Sequence, residues 1–238
     1  MASLLVRGMI AGLIASLLAF GFAKVIGEPQ VDRAIAFEEA SHTPVPGEAE
    51  EPELVSREVQ ASVGLLTGVA LYGTALGGLF ALAYAFVSGR LLQLPPRSTA
   101  LVIATVGFLA LYFVPYLKYP ANPPAVGQGE TIGYRTQLYF GMMVFSLFAL
   151  AIAISFGRQA IQKFGGWNAS ILGTVVYLVL VVVAAYALPV INEVPEKFPA
   201  DLLWNFRIAS LGTQFILWAA IGLLFGWLIA ADRERLAR

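Results

Sequence analysis

Six blocks of mostly apolar residues divide this chain, and they limit its fold more than any other feature. They cover about 4–26, 61–87, 99–114, 136–156, 170–188 and 208–230. A helix needs roughly 20 apolar residues to cross a hydrocarbon core about 30 Å thick, and the blocks are close to that length. Composition agrees. Hydrophobic residues make up 58%, charged residues 13%, and the mean hydropathy is +0.76, whereas a globular chain has about 25% charged residues. The expected fold is an all-α integral membrane protein. Residues 1–238 form one membrane domain of about six transmembrane helices, read as three helical hairpins in a row.

Composition also excludes functions. The formal net charge is zero, so no basic surface points to nucleic acid. Without cysteine there are no disulfides, thiolate metal sites or cysteine nucleophiles, and His42 is the only imidazole. The first block has Arg7 as a thin basic flank and exceeds the apolar core of a signal peptide, about 7–15 residues. It reads as a retained span. Gly8 and Gly12 in the first block, and Gly64, Gly68, Gly73, Gly77 and Gly78 in the second, have the small-residue spacing that lets helices approach closely.

Between the blocks lie three long loops on one side, about 27–60, 115–135 and 189–207, and shorter turns on the other. The first loop holds nine acidic residues. Within it Pro29 opens an expected short helix, putting Glu28 and Asp32 one turn apart on one face. The second loop, from Pro115-Tyr116-Leu117-Lys118-Tyr119-Pro120 through Asn122-Pro123-Pro124 to Glu130 and Arg135, is too rich in Pro and Gly to be helix or strand. Eleven of the thirteen prolines lie on this side, stiffening the loops and lowering the cost of ordering them.

Six spans place both termini on the other side. That side holds eight cations, Arg7, Arg90, Arg97, Arg158, Lys163, Arg233, Arg235 and Arg238, against seven on the long-loop side. Several of those seven lie at span ends, where site roles would hold them. The short Arg- and Lys-bearing turns therefore read as cytoplasmic. Arg57, Arg135 and Arg207 recur at equivalent points before the second, fourth and sixth blocks, as if the hairpin were repeated three times.

The span interiors hold no charged residue, and no phosphate-binding loop, Ser/His/Asp grouping or histidine pair is present. No enzymatic activity and no cofactor are expected. The polar residues that stand out gather on the long-loop side: Glu28, Asp32, Asn122, Glu130 and Glu193. In one reading they pair with Arg57, Arg135 and Arg207 as structural ties. In the other they form an oxygen-rich entrance for a divalent cation, with Arg57, Lys118, Arg135 and Arg207 orienting them.

Several motifs carry a family resemblance. They are Arg7-Gly8 with Ala11-Gly12-Leu13, Phe20-Gly21-Phe22-Ala23-Lys24, Gly27-Glu28-Pro29 and Val55-Ser56-Arg57. Leu117-Lys118-Tyr119-Pro120-Ala121-Asn122-Pro123-Pro124-Ala125-Val126-Gly127, Asn192-Glu193-Val194-Pro195, Phe198-Pro199-Ala200, Phe206-Arg207 and Ser210-Leu211-Gly212-Thr213-Gln214 complete it. With these the chain resembles the CbtA-type predicted cobalt transporter subunits, over nearly its whole length. The resemblance implies an inner-membrane subunit that takes up Co2+ for cobalamin synthesis, beside a small single-span CbtB-like partner with a His-containing end. Many relatives have a His-rich first outer loop, whereas this chain keeps only His42. The competing reading is a non-transporting membrane subunit that docks to or stabilises a larger membrane complex.

Overall fold

The computed structural model describes residues 1–41 and 55–236, and every long element among them is helical. His42 and the acidic run Glu48, Glu50, Glu51 and Glu53 lie outside the described residues. Five helices are long and apolar enough to cross a membrane. We label the first three α1 (Ala2–Ser41), α2 (Arg57–Val87) and α3 (Pro96–Lys118). The fourth, Ile132–Ala187, breaks at Gly165, where φ is 73° and ψ 166°, a conformation open to glycine. It is therefore two helices, α4 (132–164) and α5 (166–187). The last is α6 (Ala200–Leu236). The α4–α5 pair is antiparallel, since a Cβ on Gly173 would stand 3.1 Å from the Ala153 carbonyl oxygen and one on Gly157 3.4 Å from that of Ala169. Each arm has the roughly 20 residues a crossing needs.

Two loops begin later than the sequence suggests. Helix α1 continues through Gly27 and Pro29 to Ser41, and α3 continues through Pro115 to Lys118. A proline inside a helix clashes with the carbonyl four residues earlier. For Pro29 that carbonyl belongs to Val25, inside a π-helical turn over Ala23–Gly27; for Pro115 it belongs to Leu111, inside another over Phe108–Phe113. A π turn displaces this carbonyl and absorbs the proline without ending the helix. A third π turn, Gln60–Gly64, lies near the start of α2. Helix α6 likewise begins at Ala200, inside the stretch read as the third loop.

Packing divides the chain into two compact units. The first contains Met1–Gly107, Asn122–Ala125 and the chain from Pro195 onward; the second contains Phe108–Ala121 and Val126–Val194.

In the first unit α1 and α2 run antiparallel along a seam of small residues. A Cβ on Gly8 would lie 2.2 Å from the Gly77 carbonyl oxygen, and one on Gly12 2.0 Å from that of Gly73. Only hydrogen fits there, so the backbones meet directly, as the Gly8/Gly12 and Gly73/Gly77 spacings suggest. Gly68 meets nothing within 4 Å, and Gly64 meets only its own helix at Val59. The α6 helix packs on α3 through Gly222 and Gly226 against Ala100, Ala104 and Arg97. The Phe225 ring meets Phe80 and Tyr84 edge-on. Where the first and last helices share an end, Arg7 donates to Asp232 at 2.7 Å.

The second unit is the α4–α5 hairpin with the end of α3. Val114, Met142 and Ala184 form its core, flanked by Tyr119, Tyr177, Val181 and Leu188. The Ser146 and Tyr177 hydroxyls are 2.7 Å apart and bridge the two arms.

Candidate functional site at the loop ends

In the first unit, at the end opposite Arg7 and Asp232, the polar residues converge on Arg57. This arginine opens α2 and reaches across to α1. Its Nη2 donates to Glu28 Oε2 in a short ion pair and lies 2.9 Å from Asp32 Oδ1, to which its Nε also donates at 3.0 Å. Glu28 and Asp32 share a face because α1 stays helical past Pro29, which keeps residues i and i+4 in register. The two differ in setting: the Glu28 side chain is 11% exposed and that of Asp32 60%. The pair thus offers one shielded and one open carboxylate to a single guanidinium.

The same end is tied at three more points. Lys24 Nζ donates to the Ala61 carbonyl oxygen at 2.9 Å, joining the two π turns. Arg33 bonds Asp201 at 3.1 Å, and Phe37 meets Phe198 edge-on at 5.0 Å between centroids. The Asp201 carboxyl is held below the usual aspartate range, first by the Arg33 hydrogen bond and further by the Leu202 main-chain N–H at the start of α6. Asn122 Oδ1 accepts from Arg207 Nη2 at 3.0 Å.

In the second unit the centre is Glu193. Its Oε2 accepts from the Gln128 main-chain N–H and from Thr131 Oγ1, both at 2.9 Å, with Arg135 Nε at 3.4 Å. The Gln128 N–H first, then the Thr131 hydroxyl and the Arg135 charge, hold this carboxyl below the ordinary glutamate range. Arg135 also donates to the Gln128 carbonyl at 3.1 Å. Its guanidinium lies against Gly127, where a Cβ would fall 2.2 Å from Nη1 and φ is 111°; a side chain there would displace the guanidinium and take a strained backbone conformation. Lys118 Nζ sits 5.7 Å from the Tyr119 ring centroid, and the Tyr119 hydroxyl donates to the Pro189 carbonyl at 2.9 Å. Glu130 is exposed in a 3-10 turn over Gly129–Thr131.

The candidate residues therefore fall into a Glu28–Asp32 pair on Arg57, Asn122 on Arg207, Glu193 on Arg135, and an exposed Glu130. Among the described residues, no group of three or more His, Asp or Glu is placed to hold a metal ion.

A family model described as "Probable cobalt transporter subunit (CbtA)" matches residues 1–230. The chain belongs to the CbtA family. No curated protein and no solved structure gives a significant match. The CbtA match takes in every contact described above except Arg7–Asp232, whose acid lies beyond residue 230. It also takes in Arg33, Asp201, Gln128 and Thr131, which the sequence alone does not offer as site residues, and Lys24, which the sequence marks only as a span-end cation in a family motif. Asp201 carries a usable signal, an acid in the first turn of a helix. The Lys24–Ala61 bond carries none, because its acceptor is a main-chain carbonyl.

Proposed function

We propose that this CbtA chain is the membrane subunit of a divalent-cation uptake system for Co2+, and that the cation enters at Glu28 and Asp32. The observation that carries this reading is the pair itself, two carboxylates one helical turn apart whose joint counter-ion is one side chain, Arg57. A hard divalent cation takes carboxylate oxygens. Arg57 offsets only one of the two negative charges, whereas a hydrated divalent cation in its place neutralises both. Asp32 is the exposed first contact and Glu28 the shielded second. Asn122 with Arg207 ties the loop of the same unit, and Glu193 with Arg135, beside Lys118 and Glu130, shapes the loops of the second unit. In this reading six helices cross the bacterial inner membrane, α4 and α5 counted separately, with both termini cytoplasmic. A small CbtB-like single-span subunit completes the system. The chain itself is a transporter component and not an enzyme, since its spans offer no nucleophile–base grouping.

The test is cobalt accumulation by cells at low external cobalt. Glu28→Gln lowers it at unchanged protein level; unchanged uptake removes the entrance assignment. One observation favours a second reading. Glu28, Asp32 and Glu193 all have arginine partners already, which suits a subunit that stabilises or docks to a larger membrane complex. That reading predicts that Glu28→Gln alters the amount of assembled complex and leaves cobalt uptake per complex unchanged.

A further inference from the structure

The outermost exposed aromatic residues of α6 mark where the bilayer lies along it. Trp204 and Trp227 are 66% and 56% exposed, and indoles anchor at the two membrane interfaces. They are 23 residues apart, about 34 Å of helix, which matches a hydrocarbon core and its margins. Midway between them lie Gln214 and Trp218, ten residues past the first anchor and nine before the second. Four residues apart, they share a face of α6, about 6 Å from each other.

Both carry a buried polar atom that no group among the described residues satisfies. Trp218 is 5% exposed, and its Nε1–H finds no acceptor; the Gln214 side chain meets the Tyr72 hydroxyl, yet its Oε1 finds no donor. The Trp218 ring is pressed against Gly107, where a Cβ would lie 2.5 Å from it, so the indole is held by shape alone. An unmet buried donor or acceptor is destabilising, and hydrocarbon offers nothing to relieve it. An unmet donor and an unmet acceptor thus lie one helical turn apart on α6, and a water molecule can supply what each lacks. The Tyr84 hydroxyl, twelve residues beyond Tyr72 on α2, is a further buried and unsatisfied group toward the terminal end.

We infer that Gln214 and Trp218 hold water at the middle of the bilayer, and that they mark a water-accessible route through the first unit leading toward Tyr84. The water accepts from Trp218 Nε1–H and donates to Gln214 Oε1. That the route carries the cation rests on the proposed transport function, and the test separates the two claims.

The chain has no cysteine, so single cysteines report directly. Thiols react as thiolates, which form in water and not in hydrocarbon. With 2-aminoethyl methanethiosulfonate on membranes holding the full chain, Gln214→Cys reacts at least about tenfold faster than lipid-facing Leu71→Cys. Reaction as slow as Leu71→Cys, with Glu130→Cys reacting normally, overturns the route. A second readout leaves α6 intact. In the wild-type protein the Trp218 indole N–H, assigned by comparison with Trp218→Phe, exchanges with D2O within an hour; protection for days overturns the water site. Millimolar Co2+ slows Gln214→Cys labelling by about threefold or more by occupancy. Fast labelling that Co2+ leaves unchanged overturns the cation claim alone.

Discussion

Gly12 and Gly73 meet backbone to backbone, with the Cβ position of Gly12 only 2.0 Å from the Gly73 carbonyl oxygen. The obstacle is main chain and cannot rotate away. Gly12→Val must separate α1 from α2 and is expected to cost at least about 3 kcal/mol. Gly68→Ala, at a position with nothing within 4 Å, is expected to change stability by less than about 0.5 kcal/mol. Thermal unfolding in detergent compares the two. Equal effects would show that the seam does not hold the helices.

The Arg57 cluster predicts an order among its variants. Arg57→Gln leaves the shielded Glu28 carboxylate without its counter-ion, and is expected to cost about 3 kcal/mol. Asp32→Asn acts on a side chain that is 60% exposed and is expected to cost under about 1 kcal/mol. Adding Glu28→Gln to Arg57→Gln should recover most of the loss, because the buried charge is then gone. A double-mutant cycle on chemical denaturation checks it.

Glu193 gives a pH dependence of known sign. Its carboxyl titrates below the ordinary value in the folded protein, so its tie is fully present above the unfolded carboxylate pKa of about 4.3 and is lost as pH falls through the folded value. Unfolding temperature should fall on acidification below about pH 4, and Glu193→Gln should flatten that part of the curve. An unchanged slope in Glu193→Gln would assign the dependence to other carboxylates.

Much of this was legible in the sequence, and what was not has local causes. Apolar blocks report burial in lipid, which is why α1 to α6 could be placed. The Gly8/Gly12 and Gly73/Gly77 spacings identified the seam, because glycine at every fourth position leaves few other uses. Gly64 and Gly68 have the same spacing and lie in no such seam, since spacing alone does not choose a face. The ends of α1 and α3 were misread at Pro29 and Pro115. Proline inside a helix usually kinks or breaks it; here the turns before Pro29 and Pro115 are π-helical and the helices continue, and no residue type announces a π turn. Arg57 was picked out beside Glu28 and Asp32 because charges at a span end need partners. Lys24 on the Ala61 carbonyl and Glu193 on the Gln128 N–H were not, because main-chain groups look alike at every position.

Ala125 offers a test of the central loop. Its φ of 64° lies in the left-handed region, which disfavours a side chain by about 1–2 kcal/mol. Ala125→Gly relieves this and loosens the unfolded chain, for an expected net gain of about 0.5 kcal/mol, while Ala125→Val should lose at least about 1 kcal/mol. Unfolding midpoints of both variants decide it. A loss with glycine would mean that the Ala125 methyl packs more than it strains.

In the proposed function Glu28 and Asp32 exchange Arg57 for a divalent cation. Equilibrium dialysis of the purified chain, with any co-purifying subunit, against radiolabelled Co2+ measures this directly. Wild type is predicted to bind cobalt, and the Glu28→Gln/Asp32→Asn double variant to bind at least about tenfold more weakly, because both hard oxygen donors are gone. Equal affinity in the two proteins would contradict the account and leave the Arg57 cluster as a structural tie.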